Sequence, residues 1–309
     1  MNKIAIGIHF DSLGEAYNFP ENFQDPSFFK IMDRFLEFSS RRKFQYTIYV
    51  IGKDLENEAN AAQVRKWAAM GHEIGSHSWS HHVDLSLLTK EEVYEQVYKA
   101  HEIITRTTGV EPKGFVAPGW AYSDDVYNSL ISLNYKYDTS VFSSWVMIPQ
   151  YFFWIVNFIG SPKFKRFFRR GADVMKSVFA PKDPFVYHEA NGNGNLYVLP
   201  IPITKARIAC WHSLGFVLGW KIHFKLLRQS LKESKAFYYT MHAGDMIAPS
   251  DLNNETFSRR MPRSKVSIEE KKQMFERVLD IFEENGMEIV TCHELAKDTF
   301  SRQEYEIQI

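Results

Sequence analysis

Short apolar runs alternate with stretches whose apolar residues recur at helical spacing along nearly the whole chain. That alternation constrains the fold more than any other feature. Lys3–Phe10 is Ile-rich and reads as a strand ending at His9-Phe10-Asp11. Pro26–Ser39 carries Phe28, Phe29, Ile31, Met32, Phe35 and Phe38 at helical spacing. Phe44–Ile51 is a second strand, Asn60–Met70 a helix stopped by Gly71, and Glu73–Ser76 a third strand. Thr89 with Glu92 forms a capping box that opens a helix running to Gly109. Strands follow at Phe115–Ala117, Tyr135–Ser140, Tyr197–Ile203, Phe237–His242 and Glu288–Thr291, with helices at Ser123–Leu133 and Ile268–Asn285 and a terminal one from His293. The pattern predicts a parallel sheet, and the number of units favours a closed or nearly closed, deformed (β/α) barrel. Residues 1–309 read as one barrel domain, interrupted by an insertion at about 143–195.

Lys plus Arg and Asp plus Glu each total 37, so no global field draws in nucleic acid. Cys210 and Cys292 make no disulfide framework and read as small buried hydrophobes in a reducing compartment. The apolar run before Asp11 is too short for a signal-peptide core, which predicts a cytoplasmic protein.

The stretch GHEIGSHSWSHHV at 71–83 crowds His77, His81 and His82 just after the third strand. In a (β/α) barrel, chemistry collects at the C-terminal strand ends. Polar or aromatic residues occupy five of them here: His9 and Asp11; His77 and His81; Pro118 and Trp120; Tyr137 and Asp138; His242 and Asp245. His77 and His81 are four apart, so one helical turn between them would aim both rings at one cation. Adding Asp11 gives two nitrogens and one oxygen with positions open for water, a set that suits catalytic zinc or a related divalent ion. His242 is then a candidate general acid. His72, His101, His188, His212, His223 and His293 are expected to serve surface or packing roles, and His82 to orient His81 or pack.

These residues resemble the polysaccharide deacetylase (NodB-type) family of deformed (β/α) barrels, which hydrolyse N-acyl groups from sugars. The resemblance runs through residues 3–142 and 196–297. Ser76-His77-Ser78-Trp79-Ser80-His81 is similar to the family's metal-binding histidine motif, and Gly114-Phe115-Val116-Ala117-Pro118 to its groove motif. Thr240-Met241-His242 is similar to the motif carrying the catalytic-acid histidine, and Met287–Leu295 to the final strand and helix. Within the family the likeness is nearest to lipid-linked aminoarabinose deformylases, which act on a formylated sugar attached to undecaprenyl phosphate.

Two departures stand out. The family usually has two aspartates near the first strand's end, a base and a metal ligand; IHFDS supplies one. Either Asp11 is the base and Ser12 replaces the ligand, or Asp11 is the ligand and His9 replaces the base. The second register puts His9 and Asp11 on one strand face and is preferred. Val116 stands where many members have Arg. The resemblance implies Pro118, Trp120 and Tyr137 shaping a sugar site, with Asp138 and Asp245 bonding hydroxyls or orienting His242.

Residues 145–170, WVMIPQYFFWIVNFIGSPKFKRFFRR, follow an apolar run too short to span a bilayer with Lys163, Lys165, Arg166, Arg169 and Arg170. Aromatic anchors with a basic face suit a helix at the surface of an anionic leaflet; packing on the barrel is the competing reading, and stacking of nucleic acid ranks low. The sequence thus predicts a metal-dependent hydrolase, zinc being the expected ion, that removes a formyl or acetyl group from an amino sugar carried on polyprenyl phosphate, peripheral on the inner face of the cytoplasmic membrane. The alternatives are a barrel that binds sugar or lipid without turnover, and an amidohydrolase acting on a non-sugar amide.

Overall fold

The computed structural model describes residues 2–14, 25–157, 159–160, 164–190, 192, 194–252 and 262–307. Strands β1 (Asn2–Phe10), β2 (Thr47–Val50), β3 (Glu73–Ser76), β4 (Gly114–Phe115), β5 (Tyr137–Asp138), β6 (Phe185–His188), β7 (Asn195–Val198), β8 (Phe237–His242) and β9 (Met287–Val290) form one sheet. Its order is β6-β7-β5-β4-β3-β2-β1-β8, and β9 pairs with β1. All pairings are parallel except β6 with β7.

The distortion of the barrel originates at β1. Residues 4–9 pair with β8 along one edge, while the other edge serves β9 at residues 2–5 and then β2 at residues 7–10. A strand of this length, buried from Ile4 to Phe10, can hold two short neighbours end to end on one side. Helices over Met32–Arg42, Glu58–Ala69, Lys90–Thr108, Asp124–Ser132, Trp220–Glu233 and Ile268–Glu284 bury their apolar stripes around the sheet. Trp67 stacks on Phe28 at 5.7 Å under the end of β1. The expected capping box at Thr89 forms in full, and Ser267 accepts from the Glu270 N–H at 3.1 Å.

The barrel interior is filled with tyrosines, and glycines make room for them. A Cβ on Gly114 would lie 2.1 Å from the Tyr137 ring, and one on Gly75 would lie 2.5 Å from Tyr49. The Tyr137 hydroxyl donates to Glu73 Oε1 at 2.8 Å, and Tyr49 donates to Tyr137 at 3.2 Å. Thr47 Oγ1 and the His293 N–H donate to the other Glu73 oxygen. Burial still pushes the Glu73 carboxyl upward, with the hydrogen bonds opposing.

The expected deformed (β/α) barrel is present, and among the described strands its sheet is open, with β6 and β8 at its ends. β6 was not anticipated: four residues without alternation inside the insertion carry no strand signal distinguishable from a loop. The insertion is therefore not purely helical, since helices Met147–Asn157, Phe164–Arg169 and Gly171–Ser177 lead into that antiparallel edge strand. Lys163 lies outside the described residues. Among those described, no helix is long and apolar enough to cross a membrane.

Candidate metal centre

Three strands deliver the site. His9 on β1 is in register with Tyr49 on β2 and His242 on β8, and parallel partners in register face the same side of the sheet. The His9 and His242 rings consequently meet at 5.1 Å. Asp11 follows where β1 ends, its N–H donating to the His9 carbonyl at 2.9 Å.

His77 and His81 meet by a route the spacing did not predict. The expected helical turn is absent: Ser78 and His81 adopt left-handed φ of 63° and 52°, and the segment after β3 is a loop. The Gly52 N–H donates to the Ser78 carbonyl at 2.9 Å and Lys53 N–H to Trp79 at 2.8 Å, while Ser80 N–H and Oγ both donate to Gln96. These bonds curl the loop back, and the two imidazoles come to 5.0 Å between ring centres.

Asp11, His77 and His81 each offer a ligand atom within 4.8 Å of the others. His77 Nε2 lies 3.1 Å and His81 Nε2 3.4 Å from Asp11 Oδ1. His77 Nδ1 donates to the Val116 carbonyl at 2.7 Å, which fixes the tautomer and leaves the Nε2 lone pair facing the carboxylate. Burial opposes ionisation of Asp11, but the adjacent His77 and His81 outweigh it and hold the carboxyl well below its ordinary range. One carboxylate and two imidazoles around a common point match the donor set of a divalent cation of the zinc class.

His9 and His242 stand beside this triad. His9 Nε2 is buried without a hydrogen-bond partner among the described residues. Burial, with the neighbouring His242 and His77, lowers its basicity well below the usual imidazole range. Ser213 Oγ donates to Asp245 Oδ1 at 2.8 Å and lies 3.3 Å from His242 Nδ1, whose N–H it can accept. Arg263 donates to both Ser213 and Asp245, and Asp245 also takes the His242 backbone N–H. Burial raises the Asp245 carboxyl, but Arg263, His212 and His242 overcome it and bring it to about 2. Burial lowers His242, with Asp11 and Asp245 opposing.

The predicted site residues thus separate. Asp11, His77, His81, His9, His242 and Trp120 converge, the Trp120 ring lying 6.0 Å from His9 and 6.1 Å from His242. Pro118 is buried at the start of the turn that carries Trp120, and Asp245 is fully buried behind His242, so of its two expected roles only orientation is open to it. Tyr137 and Asp138 are not at the mouth. Tyr137 is bonded to Glu73 in the interior. Asp138 accepts from the Ser140 N–H and Oγ, and burial carries its carboxyl up to about 7. Ser213 and Arg263 were not foreseen, because neither belongs to a local pattern and both reach His242 only through the fold. His82 pairs with Asp84 at 3.5 Å.

Fold and site together define an open (β/α) barrel with a carboxylate–histidine–histidine cluster at its strand ends that could hold a divalent cation. Residues 22–137 match the polysaccharide deacetylase family model. A peptidoglycan deacetylase of Helicobacter pylori is 33% identical over 84 residues, 27% of this chain and 28% of that protein. A protein of Shewanella sediminis named as a probable 4-deoxy-4-formamido-L-arabinose-phosphoundecaprenol deformylase is 25% identical over 104 residues, 33% of this chain and 32% of its own length. The matched segments therefore span about a third or less of these relatives. A Mycobacterium smegmatis structure assigned as a polysaccharide deacetylase superposes with a TM-score of 0.59 at 14% identity, covering 97% of this chain and 91% of that one, a likeness of fold.

Proposed function

We propose that the chain is a metal-dependent hydrolase that removes a formyl or acetyl group from an amino sugar. The observation that carries this reading is the convergence of Asp11, His77 and His81 beside two further buried histidines, His9 and His242, both of which burial makes less basic. Asp11, His77 and His81 would hold a divalent cation, zinc by donor set, whose chemistry is to polarise the acyl oxygen and acidify water. His9, kept neutral by burial, accepts the proton of the attacking water at Nε2. His242, aligned by Ser213 and Asp245, donates a proton to the departing nitrogen. Trp120 lines the acyl side of the pocket.

Two facts support Asp11 as ligand and His9 as base. Asp11 reaches both histidines, whereas Ser12 is fully buried and its hydroxyl has no partner among the described residues. In this reading residues 1–309 are one barrel domain carrying an insertion at about 143–195. The insertion exposes Trp145, Phe152, Phe153, Val156, Phe168 and Phe179 alongside Lys165 and Arg169, which supports peripheral contact with an anionic membrane and a polyprenyl-phosphate-linked substrate. A second reading, sugar binding without turnover, is favoured by one observation: Val116 is buried and apolar where the groove motif often has Arg.

The test is release of formate or acetate from N-acylated amino sugars, free and polyprenyl-phosphate-linked, with metal analysis of the same preparations. Turnover that disappears in His77→Ala and falls steeply in His242→Ala is expected. A purified protein with no stoichiometric divalent ion and no release sinks the hydrolase in favour of the binder. Unchanged co-sedimentation with anionic liposomes after deletion of 145–170 sinks the membrane contact.

A further inference from the structure

A second concavity lies beside the centre, and its chemistry is different. It encloses about 160 Å³ between the barrel and the insertion, lined by Ser86, Trp120, Tyr122, Arg170, Asp173 and Lys176 among others. Trp120 is a wall shared with the metal centre, since its ring also contacts those of His9 and His242.

Arg170 is the unusual member. It is 2% exposed, and its Nη1 donates to the Gly119 carbonyl at 2.7 Å. Its Nε has no hydrogen-bond partner among the described residues. Burial lowers its pKa to about 10, with the more distant Asp173 and Asp84 opposing. A guanidinium taken out of water costs several kcal/mol unless an anion and further acceptors satisfy its fork. Here one carbonyl serves it, and the residue lines an open volume. Lys176 adds an exposed cation at the rim. Asp173 is held by Ser86 Oγ, which donates to its Oδ2 at 2.6 Å and leaves Oδ1 to accept another donor. Gly119 permits the arrangement: a Cβ there would sit 2.8 Å from Arg170 Nη1, on a backbone with φ of +57°.

We propose that this cavity is a subsite for a phosphorylated sugar, phosphoryl oxygens meeting Arg170 and Lys176 while a sugar hydroxyl donates to Asp173. Two cations around one cavity fit the charge of a phosphate better than that of a neutral sugar. Asp173, lining the same cavity, suits a ligand that also carries a donor. The inference deepens the amino-sugar reading of the neighbouring centre and rests on it for its purpose: a phosphate held across Trp120 would register the acyl group over Asp11, His77 and His81.

The probes are inorganic phosphate and an N-acyl hexosamine 1-phosphate, titrated calorimetrically into the full chain. The sugar phosphate is expected to bind at one site, about tenfold or more weakly in Arg170→Gln and a few-fold more weakly in Lys176→Gln, as loss of charged hydrogen bonds implies. His77→Ala is expected to keep this binding. Because Arg170 also ties Gly119, its variant is checked for folding by circular dichroism, and exposed Lys176 decides if it unfolds. Unchanged affinity in Lys176→Gln, binding lost in His77→Ala rather than in Arg170→Gln, or equal affinity for inorganic phosphate would each overturn the subsite. Arg170-dependent binding without acyl release would leave the subsite standing and sink the hydrolase; acyl release without such binding does the reverse.

Discussion

The chain holds two pairs of buried histidines that differ in what their nitrogens meet. His77 and His81 face a carboxylate, with His77 anchored from behind by a backbone carbonyl. His212 and His223 face a phenol: His212 Nδ1 lies 3.0 Å and His223 Nε2 2.7 Å from the Tyr239 hydroxyl. A phenol has one proton, so one imidazole accepts it and the other donates to the oxygen, and both rings stay neutral. In the first pair both Nε2 atoms face one carboxylate oxygen, and His77 keeps a lone pair pointed at it; the second has spent its inward-facing nitrogens on a neutral partner. Clustering of histidines alone does not give a donor set for a cation. The charge of the third member separates the two pairs.

The comparison breaks most visibly at the centre. His77→Ala should abolish stoichiometric divalent-ion content and with it acyl release, measured by elemental analysis and an acid-release assay, whereas His223→Gln should leave both intact. His242→Ala should keep the ion and lower kcat by about 10²–10⁴-fold, the range for a lost general acid; an ion lost together with activity would move His242 into the ligand set. At the second pair, Tyr239→Phe strands two buried ring nitrogens and should cost about 1–3 kcal/mol in urea unfolding without changing ion content.

The pH dependence of folding sharpens the contrast further. Burial lowers His212 to about 4 and His223 to about 3 in the folded chain. Between those values and the ordinary 6.5 the unfolded chain binds protons that the folded chain does not. Their contribution is therefore complete above pH 6.5 and lost as the pH falls toward 4, and His223→Gln should flatten that limb of an unfolding-midpoint curve. Gly119→Ala is the smallest change, a shift of about 1–3 kcal/mol in stability from a strained left-handed backbone pressed on Arg170.

Much of this was legible in the sequence, for reasons that differ by residue. Strand and helix order follows from periodicity, and strand ends located His9, Asp11, His77, His81 and His242 because parallel strands of one barrel finish at one mouth. The route from His77 to His81 was not legible: four-residue spacing suggests a helix, whereas left-handed Ser78 and His81 are imposed by bonds to Gly52, Lys53 and Gln96 from other segments. Tyr137 and Asp138 were misplaced for a related cause. A two-residue strand gives too little pattern to tell its end from its middle, and both side chains turn into the interior. His212 and His223 were rightly set apart from the centre, but their common phenol sits on a distant strand and left no local trace.

The anchor on His77 is a main-chain oxygen, and the residue that supplies it is Val116. A carbonyl is present whatever side chain follows it, so the imidazole's orientation is insulated from replacement at that position. A change of side chain at 116 would alter the packing around it while the bond that orients His77 stays in place. Packing and imidazole orientation are in this way wired through separate atoms of a single residue, and one can drift without dragging the other along.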